Sequence, residues 1–297
     1  MAIAQLNAPN VDEAIAVDGL SVSYIADGEP IPAVHGISFS LAPSERLAIV
    51  GESGSGKSTL ATAVAGLIPW YVAEITCESA RIGGVPVEMR AGRDVIPRRR
   101  KGVSMIFQDA MTSLDPVASI AHQFRTVLPA GHGTTRAQVR RTTLEWLAKV
   151  GIHEPDRVVK LHPHELSGGM RQRVMIALAL CSAPKALIAD EPTSALDASL
   201  SRRIMDLILE LTEELGTALI IITHDVDLAR TYTDRTLVLS HGEMQDLCAT
   251  SELSSPERSA YTRALMRCVP RITDYDLDTL PTLMTSNPSH SIAEVIS

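Results

Sequence analysis

The sequence predicts an α/β fold built around a mostly parallel β-sheet. Three short apolar runs, RLAIV at 46–50, KALIAD at 185–190 and ALIIITHD at 218–225, are typical of strands buried on both faces. Stretches with helical periodicity occur between such runs, and strands that alternate with helices form parallel sheets. A chain of 297 residues is long enough for one large domain or two.

Composition and charge narrow the class of protein. Apolar residues make up 45% of the chain and the formal net charge is −8, which is typical of a soluble globular protein and unlike a nucleic-acid binder. We therefore expect no nucleic-acid partner. The basic run RRRK at 98–101 is better explained by a solvated loop than by a phosphate or lipid contact.

Cysteines and hydrophobic runs bear on the compartment. The four cysteines are scattered without C-x-x-C spacing, so we expect free thiols in a reducing compartment and neither a disulfide framework nor a metal site. The N-terminal residues lack the features of a signal peptide, and no apolar run approaches the ~18–20 residues that span a bilayer. We expect a cytoplasmic chain that reaches a membrane only through a partner.

The N-terminal part is predicted to form an antiparallel β subdomain. Residues 15–24 and 33–41 alternate like half-buried strands, and the turn-rich ADGEPIP at 26–32 separates them. The run ARIGGVPVEM at 80–89 predicts a further hairpin, and GVSMIF at 102–107 predicts another core strand.

Helical periodicity runs from 109 to 163. Because this block lies between strands of one sheet, we interpret it as an inserted helical subdomain that covers about 109–175. In its clearest helix, Thr135 and Gln138 can form a capping box and Gly151 a C-cap. The residues that share one face of this helix are Val139, Thr143, Trp146, Leu147 and Val150.

Regular structure is predicted to end near residue 250. A helical stripe from Leu200 to Leu215 stops at Gly216, and the strand RTLVLS follows at 235–240. Beyond it the chain is polar, contains scattered prolines and shows no clear period. We therefore divide the chain into a folded domain over 1–250 and a loosely structured extension over 251–297.

A phosphate-binding loop is the strongest functional signal. The sequence GESGSGKS satisfies G-x-x-x-x-G-K-[ST] and lies between a buried strand and an apolar helix. Its glycines let backbone N–H groups surround phosphate, Lys57 supplies positive charge and Ser58 can bind Mg²⁺. This predicts a nucleoside-triphosphate site in a P-loop NTPase (RecA-like) core. Its nucleotide-binding residues are Gly51, Glu52, Ser53, Gly54, Ser55, Gly56, Lys57, Ser58 and Thr59.

Other polar residues at strand ends suit the same chemistry. Asp190 is placed to hold Mg²⁺ through water, and Glu191 follows it, where it can polarise the attacking water. His224 ends the next buried strand, and the amide of Gln108 can contact both Mg²⁺ and water. Tyr24 ends an early strand and can stack on adenine.

A second helix start also favours an anion. In HELSGGMRQRVMIALAL, a serine and two glycines directly precede an apolar helix, so backbone N–H groups and a hydroxyl lie at the positive end of its dipole. These residues, Ser167, Gly168 and Gly169, are far in sequence from the phosphate loop.

Taken in order, these motifs resemble the nucleotide-binding subunit of an ABC transporter. The residues that carry the resemblance are Tyr24, the phosphate loop, Gln108, LSGGM, LIADEPTSALD and His224, and it covers roughly 15–250. Finer features are similar to the peptide/nickel importer branch, and within it to the dipeptide/oligopeptide "D"-type ATPase. These features are GESGSGKSTLA, MIFQDAMTSLDP, HPHELSGGMRQRVMIA, with Met170 where many relatives have glutamine, and a late YTRALMRCVP.

The resemblance implies a role for each matching residue. Tyr24 would stack on adenine and residues 51–59 would be the Walker A loop. Mg²⁺ would be bound by Ser58, Gln108 and, through water, the Walker B acid Asp190. The catalytic residues would be Glu191, His224, Gln108 and Lys57, and the D-loop acid would be Asp197. The signature residues that contact a partner's ATP would be Ser167, Gly168, Gly169 and Met170.

The resemblance also implies cofactors and partners. ATP and Mg²⁺ would bind between two ATPase subunits, homologous or identical, that meet head to tail, so that each signature motif caps the γ-phosphate of the other subunit. Two phosphate-seeking helix starts in one chain would then belong to different sites. Two transmembrane permease subunits and an extracytoplasmic substrate-binding protein would complete the importer, with this subunit peripheral on the cytoplasmic face of the inner membrane.

Three alternatives are weighed against a peptide importer. Nickel or a metal chelate is a second cargo for the same mechanism. A soluble ABC ATPase acting on DNA or ribosomes usually has a coiled-coil break or two tandem cassettes, and this sequence shows neither. A P-loop kinase or GTPase would need neither LSGGM nor the Gln108 segment, and this sequence has both.

A C-terminal cysteine cluster that can hold an iron–sulfur centre occurs in many peptide-importer relatives. Here Cys248 and Cys268 lack that spacing, so we expect no cluster.

Overall fold

Two β-sheets organise the residues that a computed structural model of the chain describes, which are 13–69, 71–90, 100–108, 113–128, 135–194 and 196–268. One sheet is antiparallel and the other is mostly parallel, which confirms the predicted α/β class.

The strands are β1 (Ile15–Ala26), β2 (Glu29–Leu41), β3 (Arg46–Val50), β4 (Ala73–Thr76), β5 (Ser79–Ile82), β6 (Val85–Pro86), β7 (Val103–Ile106), β8 (Ala186–Asp190), β9 (Ala218–Thr223), β10 (Arg235–Ser240) and β11 (Glu243–Ala249). The α-helices of the described residues are α1 (Lys57–Ala65), α2 (Ile120–Val127), α3 (Arg136–Lys149), α4 (Pro155–Val158), α5 (Gly168–Leu180), α6 (Ala198–Leu215), α7 (Val226–Tyr232) and α8 (Ala260–Cys268). Short 3₁₀ helices lie at Pro163–Glu165 and Thr250–Glu252.

The antiparallel sheet has the order β2-β1-β5-β6, with β4 also paired to β1. Its first hairpin turns at Asp27 and Gly28, whose φ values of 51° and 82° suit a two-residue turn. The predicted turn over 26–32 is therefore too long, since β2 already includes Pro30 and Pro32. An edge strand of a sheet tolerates prolines because its outward N–H groups need no partner in the ladder.

The second sheet has the order β11-β10-β3-β9-β8-β7. The strands from β10 to β7 are parallel, and only β11 is antiparallel to its neighbour. The predictions of 46–50 and 235–240 match β3 and β10 residue for residue. The short strand β4 and the edge strand β11 were not predicted, and most residues of β11 are only half-buried or exposed.

The parallel sheet has an apolar core on both faces. Along β8, Ala186 and Ile188 pack on the side of α1 and the antiparallel sheet, whereas Leu187 and Ala189 pack against the helical subdomain and α6. Every residue of β7, β8 and β9 is buried. Burial on both faces explains why these strands are continuously apolar in the sequence.

The helical subdomain lies between the adjacent strands β7 and β8, as predicted. The capping box of Thr135 and Gln138 is confirmed at the start of α3. At the other end the C-cap is Val150, and Gly151 is the next residue, with a left-handed φ of 79°. On the predicted face, Thr143, Leu147 and Val150 are buried while Val139 and Trp146 are half-buried. Parts of this subdomain, 109–112 and 129–134, lie outside the described residues.

The extension predicted to be loosely structured is in part helical. Helix α8 buries Thr262 and Met266, and Met266 shares a small apolar cluster with Val226 and Cys248. This helix is amphipathic, but its nine residues are fewer than the roughly 11 from which a helical period can be assigned, so the sequence analysis missed it. Residues 269–297 lie outside the described residues.

Candidate functional site

The carboxyl ends of the parallel strands bring the predicted site residues to one edge of the sheet. In the strand register, Val50 at the end of β3 pairs with Thr223 of β9, and Asp190 of β8 pairs with Ile222. The loops that follow these strands therefore start side by side, at the place where open α/β sheets bind ligands.

The phosphate loop joins β3 to α1 by close backbone packing. Helix α1 begins at Lys57, and the preceding Gly56 has a left-handed φ of 99°. A Cβ atom on Gly56 would lie 2.6 Å from the carbonyl oxygen of Ala33, and one on Gly51 would lie 2.1 Å from that of Leu239. Both positions therefore need glycine for space, and Gly56 needs it for its conformation as well.

Lys57 places a buried cation at the base of this loop. Its side chain is 7% exposed, and its Nζ donates to the carbonyl oxygens of Gly51 at 2.9 Å and Glu52 at 2.6 Å. Burial lowers the pKa of Lys57, and the negative charges of Glu191, Asp190 and Glu52 oppose this effect. The ammonium group is thus held among backbone oxygens next to two strand-end carboxylates.

Asp190 and Ser58 form an oxygen pair beside Lys57. Asp190 is 9% exposed, and burial raises its pKa against a hydrogen bond from Ser58 and the charge of Lys57. A carboxylate and a hydroxyl are hard oxygen donors, which are the ligands that Mg²⁺ prefers. The residues present therefore fit a magnesium site.

Glu191 is held by hydrogen bonds from two other strand ends. Gln108 Nε2 donates to its Oε2 at 2.7 Å, and His224 Nδ1 lies 2.9 Å from its Oε1. Its backbone has a φ of 44°, which is strained for a residue other than glycine. The Glu191 N–H donates to the Ile222 carbonyl, and the Ser194 N–H and hydroxyl donate to the Glu191 carbonyl. These backbone contacts keep the carboxylate in place.

Except for the buried Asp190, these polar residues line one cleft of about 630 Å³, called here the phosphate cleft. Tyr24 is at its wall, with its Oη 3.3 Å from Thr59 Oγ1. The other predicted residues that line it are Ser53, Gly54, Gly56, Lys57, Ser58, Thr59, Gln108, Glu191 and His224. Gly51, Glu52 and Ser55 belong to the loop behind this lining.

Two kinds of residue near this cleft were missed by the sequence analysis. His241 and Gly242, in the turn between β10 and β11, line the cleft, and their φ values are 50° and 78°. The sequence pair HG at 241–242 is typical of a turn, but because strand β11 was not predicted, the sequence analysis did not identify a hairpin turn there. Gln172 of α5 is buried and donates to the carbonyl of Pro192, the residue after Glu191, and no local pattern indicates that contact.

The signature residues lie in a second cleft, of about 500 Å³. Ser167 caps α5, and its Oγ accepts from the Met170 N–H at 3.3 Å. Ser167, Gly169 and Met170 line the second cleft, which shares no described lining residue with the phosphate cleft. No atom outside the local backbone lies within 4 Å of a Cβ built on Gly168 or Gly169. The fold therefore does not bring this motif into the chain's own phosphate cleft.

Asp197 has a local structural contact of its own. Its carboxylate caps α6 by accepting from the N–H groups of Ser199 and Leu200, each at 3.0 Å. It lines neither cleft among the described residues. Among all the residues that the structure describes, no helix is both long enough and apolar enough to cross a membrane.

The chain is similar to known proteins both in sequence and in structure. Residues 34–194 match the family model described as ABC transporter. The chain is 39% identical over 262 residues to the peptidoglycan transport ATP-binding protein YejF of Agrobacterium fabrum, which covers 88% of this chain and 48% of that protein, so the chain spans about half of its length. It is 36% identical over 275 residues to the oligopeptide transport ATP-binding protein AppD of Bacillus subtilis, covering 93% of this chain and 84% of that one. The dimeric ATP-binding cassette MJ0796, in a post-hydrolysis state with ADP and Pi, matches with a TM-score of 0.64 at 27% identity, covering 80% of this chain and 98% of that one.

Proposed function

The chain belongs to the ABC transporter family, and we propose that it is the ATP-hydrolysing subunit of an importer whose cargo is a di- or oligopeptide. The observation that carries the ATPase assignment is the Glu191 carboxylate, held between Gln108 and His224 in the phosphate cleft. The peptide cargo is supported by the name of the relative AppD, an oligopeptide transport ATP-binding protein.

The proposal assigns a task to the predicted residues of the cleft. Backbone N–H groups of the loop and the Lys57 ammonium bind the phosphates, and Tyr24 stacks on adenine. Gln108 uses its amide nitrogen on Glu191, so its amide oxygen can be a Mg²⁺ ligand along with Ser58 and, through water, Asp190. Mg²⁺, when bound, neutralises phosphate charge and orients the leaving group.

Hydrolysis requires a base and stabilisation of negative charge. Glu191 accepts a proton from the attacking water while Gln108 and His224 orient its two carboxylate oxygens. Lys57 and His224 then stabilise the charge that develops on the transferred phosphoryl group. The backbone of Glu191 is strained, and such strain is common at residues that an active site must hold in one position.

A second ATPase subunit, homologous or identical, completes the site. Ser167 and the unobstructed Gly168 and Gly169 offer backbone N–H groups at a helix start to a phosphate outside this chain. We propose that they cap the γ-phosphate in the partner, with Met170 beside it and Asp197 facing the same interface. This arrangement gives the second cleft a ligand.

A groove next to the phosphate cleft is the proposed contact with the permease. It has a volume of about 310 Å³ and lies between α2, α5 and the segment after β7. Phe107 lines it, is 40% exposed and directly precedes Gln108, so a segment docked here acts on the residue that holds Glu191. In the proposed importer, this subunit binds two permease subunits and so lies peripherally on the cytoplasmic face of the inner membrane. An extracytoplasmic binding protein delivers the cargo to the permease.

Purification from native membranes tests this function. The chain should co-purify with permease subunits, and the complex should hydrolyse ATP faster when its binding protein carries peptide. Val117, which neighbours the groove residue Ala118, is 84% exposed, and Val117→Asp should abolish permease capture while ATP still binds. Val85→Asp alters a valine that is 62% exposed on the antiparallel sheet and is the matched control. Capture of a nucleic acid or a ribosome in place of a permease would contradict the proposal.

A further inference from the structure

The C-terminal helix α8 packs next to the strand that carries the phosphate loop. Met266 of α8 is buried, and Tyr261 and Leu265 pack against the same small cluster. This cluster includes Val50, the last residue of β3, which directly precedes the loop. Helix α8, which the motifs of the proposed function leave unused, therefore shares an apolar cluster with the residue that precedes the phosphate loop.

The orientation of α8 is set by a buried anchor at its start. Asp246 of β11 accepts from the Ser259 N–H at 2.9 Å and from the Thr262 hydroxyl. Thr262 is fully buried, and its hydroxyl also accepts from that of Ser259. These contacts fix the first turn of the helix to the sheet, and so they fix the direction in which Tyr261 extends.

Tyr261 contacts the backbone of the phosphate loop. Its Oη accepts from the N–H of Glu52 at 3.4 Å. Burial raises the pKa of Tyr261, so the hydroxyl is protonated at neutral pH and can donate as well as accept.

The same peptide group also contacts Lys57. The N–H of Glu52 and the carbonyl of Gly51 belong to one planar unit, and that carbonyl accepts from Lys57 Nζ at 2.9 Å. A rotation of this plane moves both contacts together. A hydrogen bond to the N–H side therefore restrains the oxygen that holds the ammonium group on the other side.

We propose that Tyr261 is a positioning residue for the nucleotide site, through which the C-terminal helix holds the Gly51–Glu52 peptide plane and with it Lys57. The proposal rests on the proposed function only in that this loop binds ATP. Tyr261 does not touch the phosphate cleft, so it acts on binding through the loop and not on the chemical step.

Substitution of the phenol tests this link in the full-length chain. Tyr261→Phe keeps the ring and removes one hydrogen bond, so ATP should bind roughly two- to tenfold more weakly. The KM for ATP should rise while kcat changes little, because binding and transition state lose the same contact. The amide hydrogen of Glu52 should exchange with solvent several-fold faster, in a measurement made without nucleotide. Tyr232→Phe, at a half-buried tyrosine of α7 that is not among the residues lining the phosphate cleft, is the matched control and should change neither the affinity for ATP nor the exchange at Glu52.

The outcomes separate this inference from the function it builds on. Faster exchange at Glu52 together with weaker ATP binding in Tyr261→Phe, and not in Tyr232→Phe, supports it. Unchanged exchange at Glu52, or unchanged affinity for ATP, overturns it. Failure of the wild-type chain to bind ATP counts against the proposed function, whereas the exchange measurement still decides whether Tyr261 restrains the loop.

Discussion

Glu191 Oε1 and His224 Nδ1 lie 2.9 Å apart, although 33 residues separate them in the sequence. The other oxygen, Oε2, accepts from Gln108 at 2.7 Å. The carboxylate at the end of β8 is thus held from the ends of both neighbouring strands, β7 and β9. Two such hydrogen bonds would orient Glu191 as a general base, and substitution of Glu191 tests that role.

Glu191→Gln should bind ATP but hydrolyse it at least ~100-fold more slowly, because the amide cannot accept the proton of the attacking water. With binding intact and hydrolysis blocked, the variant should accumulate a closed dimer in ATP. Steady-state ATPase rates and size-exclusion chromatography measure the two effects. Glu243→Gln, at an exposed carboxylate, is the control, and near wild-type turnover by Glu191→Gln would remove Glu191 from the role of base.

The signature motif should act on the partner subunit and not on its own chain. Ser167→Arg should block γ-phosphate capping and leave ATP binding at its own loop, whereas Lys57→Ala should do the reverse. If the chain self-associates, mixing the two variants gives a dimer with one site that carries both defects and one that carries neither. Mixing should therefore restore ATP-driven dimerisation, as measured by light scattering.

The same mixture distinguishes action within one chain. If Ser167 served the Lys57 of its own chain, every site would stay defective and mixing would restore nothing. The experiment is repeated with the natural partner subunit when that partner is a different chain. Absence of rescue in both settings, with both variants folded by circular dichroism, would rule out action between subunits.

Stability should depend on pH through the anchor of α8. Burial raises the pKa of Asp246, but hydrogen bonds from Thr262 and Ser259 outweigh it and lower the pKa overall. A lowered pKa means that the charged form stabilises the fold above the unfolded value of ~3.9, and that this contribution is lost as pH falls through the folded pKa. Asp246→Asn should thus cost about 1 kcal/mol at pH 7, a small value because water screens part of the charge.

Urea unfolding at several pH values tests this dependence. The difference in unfolding free energy between wild type and Asp246→Asn should be constant from about pH 5 to 7 and shrink below about pH 4. Glu257→Gln, at an exposed carboxylate near the same helix, should show no such trend. A difference that grows as the pH falls would contradict the assigned direction of the pKa.

The purified chain should contain no stoichiometric iron or zinc. Its cysteines lack ligand spacing, and within the described part of the chain no group of three or more His, Cys, Asp or Glu residues could hold a metal. Elemental analysis and the visible spectrum after anaerobic purification are the measurements. One iron or zinc per chain, or a brown colour, would overturn this expectation.

Local interactions made much of the fold predictable. The strands β3 and β10 are recognisable because burial on both faces requires continuous apolar residues. The start of α3 is recognisable because the side chains of Thr135 and Gln138 each accept a hydrogen bond from the other residue's backbone N–H within one turn. The phosphate loop is likewise a contiguous motif, since its glycines and Lys57 serve one bend of the backbone.

Contacts between distant residues could not be predicted from local sequence. Strand β11 and the extent of β2 depend on which strands lie at a sheet edge, and a single segment carries no record of its neighbours. The separation of Ser167 from the phosphate cleft depends on where the helical subdomain packs.

The sequence by itself determined the family and predicted the phosphate loop and the polar residues at the strand ends, because each motif is a short contiguous segment. Only the tertiary structure decided that Tyr261 reaches Glu52 across 209 residues of sequence. The physical reason is that such a contact depends on the packing of α8 against the sheet, and many sequences of the same local pattern could pack elsewhere.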